Sequence, residues 1–466
     1  MQPKDSSFAC REARQAAWSR RSMLQAGGLG LLGLNMPKLL AAEKKPGPKA
    51  KIKSVVFLYQ FGGPSHLDTF DMKPDAPAGI RGPLKSIASN VPGLPVCEHL
   101  PRMAQMMDKV TLIRSTYHTM KNHNSASYYA LTGRAPPVDD IRLRDTLELF
   151  PAYGSVVSEL GRTSREVPTF VSFPYVIRDG SITPGQHASF LGKGNDPLLV
   201  TEDPNSPNFR LPELSLPNNL SLDRLENRRG LQQIIDRQSR LLDYSSTAQG
   251  VDAYYETALA MLNSQRCRDA FNLAAESKEL RDRYGRHTYG QSCLLARRLV
   301  EAGVRFVNVY FSSNIGGQSI TDGGWDTHGF NNTRMYEIVP KYHLPITDHT
   351  LPTFLTDLEE RGLLDETLVV WMGEFGRTPK INDNSSRDHW PQCYTVLLAG
   401  GPLKRGYVYG ASDKNGAYPD RSPVTPDDLA ATMFYLLGIN PDTEVHDIAK
   451  RPLSITSGKP ILDILA

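Results

Sequence analysis

The sequence is poor in cysteine and has almost no excess of charge. Five cysteines occur among 466 residues, without a C-x-x-C pair, which argues against a zinc knuckle or a redox dithiol. Disulfides and buried thiols both stay open for Cys97, Cys267, Cys293 and Cys393. Lys and Arg number 53 against 50 Asp and Glu, and the small excess falls within the first 42 residues. We therefore expect no nucleic-acid partner.

The chain also lacks an apolar run that would serve as an integral membrane segment. The run from Met23 to Leu34 is short and Gly-rich, whereas a membrane-spanning helix needs about 20 apolar residues. Before it, the segment SRRSMLQ at residues 19–25 resembles a twin-arginine export signal. We predict a signal peptide at residues 1–42, a linker at 43–51 and a periplasmic or secreted protein. An amphipathic helix with a chance Arg20-Arg21 pair is the alternative.

Short apolar segments alternate with helical patterns along residues 52–466. Buried strands are predicted at residues 52–60, 110–114, 168–173, 304–310, 367–372 and 394–398. Helices are predicted at 98–109, 125–132, 152–161, 287–302 and 346–361. This alternation is typical of a three-layer α/β/α sandwich with a mostly parallel central sheet. Residues 175–285 break the pattern and predict a helical or irregular insertion, with a charged helix from Ser221 to Tyr244.

Polar side chains cluster in the loops after the predicted strands, where ligands bind in open parallel sheets. The candidates are His66 and Asp68; His123, Asn124 and Ser125; Asp326 and His328; Glu374 and Arg377; and His389. Imidazoles and carboxylates are metal ligands. A helix N-terminus after His123 can bind an anion, and Arg377 can hold an oxyanion in a bidentate manner.

Each of these loops also has a purely structural explanation. A Gly-Pro turn accounts for the segment around His66, and Asn124 or Ser125 would cap a helix. Asp326 would hold a Gly-rich turn, and Glu374 with Arg377 would form a buried ion pair. Five loops of this kind at successive strand ends favour one shared site over five separate explanations.

Several motifs resemble an exported bacterial family known as domain of unknown function 1501. The motifs are QFGGPSHLDTFD at residues 60–71, the segment 123–133, GGWDTH at 323–328, GEFGRTP at 373–379 and DHW at 388–390. The resemblance covers residues 52–460 and implies an alkaline phosphatase-like fold. Members of the alkaline phosphatase and sulfatase superfamily carry one or two metals at the carboxyl edge of the sheet and a Ser, Thr or modified Cys nucleophile.

Three positions depart from the superfamily's pattern. Gln60 ends the first strand where a metal-binding Asp is expected, His123 falls in the nucleophile's place, and Phe375 replaces a His ligand. Two hypotheses stay open. The chain is either an exported metal-dependent hydrolase of sulfate or phosphate esters, or a non-catalytic carbohydrate- or anion-binding protein with a degenerate site.

The hydrolase hypothesis assigns a role to each candidate residue. One or two divalent ions, with Zn, Ca or Mn as candidates, would bind to His66, Asp68, Asp326, His328, Glu374 and His389. His123 would act as ligand, general base or nucleophile. Arg377 would serve in catalysis and, together with Asn124 and Ser125, bind a small anionic ester or a sulfated or phosphorylated carbohydrate. We expect His123, Asp326, His328, Glu374 and His389 to converge at one edge of the sheet.

Overall fold

The computed structural model describes residues 47–161, 164, 166–209, 264–311, 324–329 and 334–466. The predicted signal peptide and the helix predicted from Ser221 to Tyr244 lie outside the described residues. Among the described helices, none combines the length and the apolar character that crossing a membrane requires.

An eight-stranded sheet forms the centre of the fold. Its strands are β1 (Ser54–Gln60), β2 (Val110–Thr116), β3 (Phe170–Phe173), β4 (Leu198–Leu199), β5 (Phe306–Phe311), β6 (Thr367–Met372), β7 (Tyr394–Ala399) and β8 (Tyr407–Tyr409). Their spatial order is β8-β2-β7-β6-β1-β5-β3-β4. Strand β7 runs antiparallel to β6 and β2, and the other described pairs are parallel. The prediction of a mostly parallel sheet is confirmed.

Helices cover both faces of this sheet. They are α1 (His123–Thr132), α2 (Tyr153–Gly161), α3 (Gln265–Phe271), α4 (Lys278–Tyr284), α5 (Thr288–Glu301), α6 (Leu344–Glu360) and α7 (Pro426–Leu436). Alternate residues of β1 belong to two separate cores, because successive strand side chains point to opposite faces. Val56 and Leu58 pack in the core that includes α5 and α6. Val55 and Phe57 pack in the core of α1, α2 and α7. The three-layer α/β/α architecture is confirmed.

Shorter elements decorate the ends of the sheet. One-turn helices span Ala78–Arg81, Pro101–Ala104 and Met335–Ile338. Two-stranded hairpins pair Ser86–Ile87 with Val96–Cys97, Arg178–Asp179 with Ser181–Ile182, Gly376–Arg377 with His389–Trp390, Ala411–Ser412 with Pro419–Arg421, and Glu444–His446 with Pro452–Ser454. The hairpin of Gly376–Arg377 and His389–Trp390 brings two of the candidate loops together.

Three helical predictions need correction. The helix expected over residues 98–109 is a single turn at Pro101–Ala104 followed by a 3-10 turn at Met107–Lys109. The Asp348 carboxylate of α6 stabilises this first turn, because it accepts the N–H groups of Arg102 and Met103 at 3.1 and 2.7 Å. Helix α1 begins at His123 and helix α6 begins at Leu344, each two residues earlier than expected.

The described flanks of the predicted insertion join the main domain. Strand β4 extends the edge of the sheet by pairing with β3, while α3 and α4 contribute to the core on the α5 and α6 side. On that side Arg297 of α5, which is 1% exposed, bridges Glu276 and Asp357. Cys97, Cys267, Cys293 and Cys393 are free and buried, which answers the disulfide question for these four residues.

Candidate metal centre

Side chains from four separate loops meet around the carboxylate of Asp326. Oδ1 of Asp326 lies 2.9 Å from Nε2 of His389 and 2.8 Å from Nη2 of Arg377. Oδ2 lies 3.0 Å from Nε2 of His328 and 3.3 Å from Nε2 of His123. One carboxylate is thus surrounded by three imidazoles and one guanidinium group.

Glu374 stands behind His123, on the side away from Asp326. Its Oε1 accepts hydrogen bonds from Nδ1 of His123 at 2.7 Å and from the backbone N–H of Gly62 at 2.9 Å. The side chain is fully buried and lies two residues after the end of β6. Because Glu374 holds Nδ1, the other ring nitrogen of His123 points at Asp326. The five residues expected to converge, His123, Asp326, His328, Glu374 and His389, do lie together.

His389 is held in place by backbone and aromatic contacts. Its Nδ1 lies 3.0 Å from the carbonyl oxygen of Lys121, and its ring stacks on Phe375 with centroids 4.3 Å apart. The Phe375 ring thus supports the imidazole of His389. The centroid of the His123 ring lies 4.4 Å from that of His389.

The first turn of α1 presents His123 because the residues before it are fixed. The Asp139 carboxylate accepts the backbone N–H groups of Lys121 and Asn122 at 2.9 and 3.1 Å. Asn122 caps the helix without a side-chain hydrogen bond. The local conformation therefore comes from a carboxylate sixteen residues beyond His123, which no local capping signal would reveal.

The pKa values of the cluster reflect two carboxylates that share buried imidazoles. Burial alone lowers the pKa of His123, but the charges and hydrogen bonds of Asp326 and Glu374 outweigh burial and raise it to about 10. Burial alone would raise the pKa of Asp326, but His123 and its other imidazole partners hold it well below the usual value. Burial, together with the charges of His123 and Arg377, lowers the pKa of His389 to about 4, against the hydrogen bond to Asp326. The two carboxylates thus favour the protonated form of His123, whereas the neighbouring His389 favours the neutral form.

The residues present fit a divalent metal. One ligand atom from each of His123, Asp326 and His389 lies within 4.8 Å of the other two. Two imidazole nitrogens and one carboxylate oxygen are a donor set suited to Zn²⁺ or Mn²⁺. Ca²⁺ prefers oxygen ligands throughout, so this donor set does not favour the Ca²⁺ that the sequence left open. His328 adds a third imidazole beside Asp326.

Arg377 does not face a substrate, contrary to the prediction. The side chain is fully buried. Its Nε donates to the carbonyl of Gly63 at 3.0 Å, Nη1 donates to the carbonyl of Arg387 at 3.1 Å, and Nη2 donates to Gly62, Trp325 and Asp326. Arg377 therefore ties three loops of the centre together, and the anion-binding role assigned to it is corrected.

His66 and Asp68 do not join the cluster, which corrects their assignment as ligands. Oδ2 of Asp68 accepts hydrogen bonds from Nε of Arg387 at 2.7 Å and from the Ser65 hydroxyl at 2.5 Å. Nε2 of His66 lies 2.8 Å from the carbonyl oxygen of Gly416. Both residues are buried, and the ion pair of Asp68 with Arg387 satisfies a charge that the sequence alone leaves free.

Asn124 and Ser125 hold a loop and do not line the centre, so their substrate-binding role is also corrected. The Asn124 side chain donates to the carbonyl of Ile141. The Ser125 hydroxyl donates to the carbonyl of Asp140 at 3.1 Å and accepts its N–H at 2.8 Å. Neither residue caps α1.

Gln60, at the end of β1, has a structural role. Its Oε1 accepts the indole N–H of Trp325 at 3.1 Å, and its Nε2 donates to the Leu58 carbonyl and the Tyr289 hydroxyl. It thereby anchors the residue just before Asp326. Sequence reasoning missed this link. It also missed the Gly62 N–H and the Lys121 carbonyl, because backbone groups leave no residue-type signal.

Comparison with solved structures finds distant similarities. The PsFucS1 sulfatase from Pseudoalteromonas sp. is 14% identical, with a TM-score of 0.39 over 92% of this chain and 74% of that one. A protein in the alkaline phosphatase superfamily from Vibrio parahaemolyticus is 13% identical, with a TM-score of 0.38 over 91% and 73%. The lipoteichoic acid synthase LtaP from Listeria monocytogenes is 10% identical, with a TM-score of 0.38 over 85% and 74%.

A search of curated proteins finds no match. A family model described as "Protein of unknown function (DUF1501)" matches residues 52–465. This match covers both cores, the whole central sheet and every residue of the centre around Asp326. The chain therefore belongs to the DUF1501 family.

Proposed function

We propose that this protein is a metal-dependent hydrolase of sulfate or phosphate esters. The observation that carries the proposal is the convergence of His123, Asp326 and His389, which offer three ligand atoms within 4.8 Å of one another. Asp326 and His389 are partly exposed, at 19% and 24% of their side-chain surfaces, so the centre opens to solvent. A divalent cation bound there would neutralise charge on the ester oxygens and lower the pKa of a water molecule.

The chain's own residues have distinct parts in this proposal. His123, Asp326 and His389 supply ligand atoms, while Glu374 and the Lys121 carbonyl orient the two imidazoles from behind. Such outer hydrogen bonds fix the tautomer and the orientation of a ligating ring. Arg377 fixes the Gly62-Gly63 turn and Asp326 with one buried side chain. His328, whose Nε2 lies 3.0 Å from Oδ2 of Asp326, would add a further imidazole beside the cation.

A second candidate function is a binding protein without hydrolysis. The observation that favours it is the fully buried Arg377, whose donors are used by four backbone carbonyls and Asp326. A hydrolase of sulfate or phosphate esters needs a cation that binds the anionic ester group, and the guanidinium group of Arg377 faces inward. In that case the centre would bind an anionic carbohydrate or a small anion through its metal alone.

Metal content and turnover separate the two candidates. We expect the purified chain to take up Zn²⁺ or Mn²⁺ and then to cleave p-nitrophenyl sulfate, p-nitrophenyl phosphate or a sulfated or phosphorylated sugar. Asp326→Asn should lower the metal affinity at least about tenfold, whereas Asp365→Asn, at an exposed ion pair with Arg405, should not change it. A wild-type chain that binds metal without turnover would support the binding candidate. Failure to bind metal would refute the metal centre.

We also propose that the protein is exported through the twin-arginine pathway. The proposal rests on Arg20-Arg21 and the weakly apolar run that follows. Replacing both arginines by lysine should leave the unprocessed precursor in the cytoplasm, as measured by cell fractionation and immunoblotting. Normal secretion of the Lys-Lys variant would refute this route.

A further inference from the structure

A second concave site lies outside the metal centre. A cavity of about 450 Å³ is lined by Met72, Lys73, Pro74, Arg81, Gly82, Pro83, Leu84, Lys85 and Ser86. Three of these residues are cationic and none is acidic, although the chain as a whole is close to neutral. The cavity is within the volume range of small-molecule sites. We refer to it as the basic cleft.

Lys73 enters the basic cleft from a fixed position. Its Nζ lies 3.0 Å from Oδ1 of Asp71, which is 1% exposed. The same oxygen lies 3.4 Å from Nε of Arg114. One buried carboxylate is therefore shared by two cations, and a positive charge is left over at this wall of the cleft.

Arg81 also extends from a fixed backbone. The carbonyl of Ile80 accepts Nη2 of Arg387 at 2.6 Å, and Arg387 is held by Asp68. Gly82 has a φ of +74°, and a Cβ atom there would lie 2.8 Å from the Tyr336 hydroxyl. The chain on both sides of Arg81 thus packs closely against the buried pair, so the cleft has a rigid wall.

Lys85 lies at the start of the short hairpin on the other side. Its N–H donates to Oε1 of Glu98 at 2.8 Å, and its carbonyl accepts the Glu98 N–H at 2.8 Å. The Glu98 carboxylate is thereby engaged with the hairpin backbone and does not line the cleft. Three cations therefore approach one cavity from positions set by hydrogen bonds.

We propose that the basic cleft binds a sulfate or phosphate group of a carbohydrate ligand. Arginine and lysine donate charge-assisted hydrogen bonds to such oxyanions, and the flanking Met72, Pro74 and Leu84 supply apolar surface for a sugar ring. A divalent cation finds no carboxylate there.

One loop connects the cleft with the metal centre. The N–H of Ile381 donates to the Gly79 carbonyl at 2.9 Å beside the cleft. The next residue, Asn382, donates from Nδ2 to the His328 carbonyl at 3.1 Å beside the centre. We infer that the cleft takes a second anionic group of the substrate, and this identification, unlike the anion site itself, rests on the proposed function.

The test uses the full chain in the presence of a chelator, so that binding is measured without any metal and therefore without metal-dependent hydrolysis. The probe is a heparin-derived sulfated tetrasaccharide, measured by calorimetry, with inorganic sulfate and inorganic phosphate as competitors that distinguish the two oxyanions. Arg81→Gln/Lys85→Gln should weaken binding about tenfold or more. The control Lys53→Gln/Arg451→Gln removes the same net charge at exposed ion pairs elsewhere and should change affinity less than about twofold.

Three results would overturn the basic cleft as an anion site. They are no binding by the wild-type chain, an unchanged affinity of the cleft variant, and an equal loss in the control variant, which would indicate general charge attraction. The measurement is independent of the metal centre because no metal is present. If the wild-type chain binds the tetrasaccharide but shows no ester turnover when metal is supplied, the result would count against the proposed hydrolase and not against the cleft as an anion site.

Discussion

Glu374 is expected to orient His123 without binding the metal itself. Its Oε1 already accepts two hydrogen bonds, from His123 Nδ1 at 2.7 Å and from the Gly62 N–H at 2.9 Å. It lies on the side of the imidazole ring away from Asp326. The substitution Glu374→Gln keeps an oxygen that can accept both bonds but removes the negative charge. The original prediction, in which Glu374 is a ligand, makes a different forecast for this variant.

The magnitude follows from the contacts that change. Loss of a carboxylate behind a ligating imidazole lowers metal affinity about 10- to 100-fold, which corresponds to about 1.4 to 2.7 kcal/mol. The free energy of unfolding without metal should change less, because both hydrogen bonds can persist. Glu374→Leu removes the acceptor and leaves the buried Gly62 N–H unpaired, which should cost an additional 1 to 3 kcal/mol, roughly, in stability.

Competition titrations with a chromophoric chelator measure the Zn²⁺ affinity of the wild type, Glu374→Gln, Asp326→Asn and the exposed control Glu366→Gln. We expect an intermediate loss for Glu374→Gln, a larger loss for Asp326→Asn and none for the control. If Glu374→Gln binds Zn²⁺ as tightly as the wild type, the carboxylate does not orient His123. If it loses as much affinity as Asp326→Asn, Glu374 is itself a ligand and our interpretation of the geometry is wrong.

Three further predictions concern stability. Arg297→Met leaves Glu276 and Asp357 without their buried partner and should lower the free energy of unfolding in urea by about 3 kcal/mol. The control Arg283→Gln, at an exposed pair with Glu360, should lower it by under about 0.5 kcal/mol. Equal losses would contradict the buried network. Burial lowers the pKa of His343 from 6.5 to about 3, so the unfolded state binds the proton first and stability falls as the pH drops from 6.5 towards 3. His343→Leu should therefore lose about 2 kcal/mol less than the wild type between pH 7 and pH 5, and an identical pH dependence would refute this. Ser125→Ala removes two hydrogen bonds to Asp140 and should cost about 1 to 3 kcal/mol with turnover retained; lost turnover at unchanged stability would return Ser125 to the site.

The layers of the fold could be predicted because buried strands and helices have recognisable patterns of apolar residues in the sequence. Strands β1, β5 and β6 are buried on both faces, so they read as continuous apolar runs. The antiparallel direction of β7 could not be predicted, since a buried strand has the same composition whichever way it runs. The single turn at Pro101–Ala104 likewise depends on the Asp348 carboxylate, which accepts N–H groups of that turn from a position distant in sequence.

The candidate site was predictable as a set of loops but not as a set of partners. Strand ends bring His123, Asp326 and His389 to one edge, and the sequence shows that these ends are polar. It does not show which cation meets which anion. Asp68 pairs with Arg387 and Asp326 with Arg377, and each pair is decided by the packing of loops more than fifty residues apart.

The inward-facing Arg377 changes how charge at the centre has to be understood. Arg377 balances one of the two carboxylates, Asp326 and Glu374. These carboxylates raise the pKa of His123 to about 10, and the proton that His123 therefore holds balances the other. The cluster is thus close to neutral without a metal and has no free cation to offer an ester. A divalent ion in place of that proton would leave a net positive charge facing the opening beside His389. The cation that Arg377 was expected to provide would then come from the metal, and the arginine would serve to hold the ligand Asp326 in place.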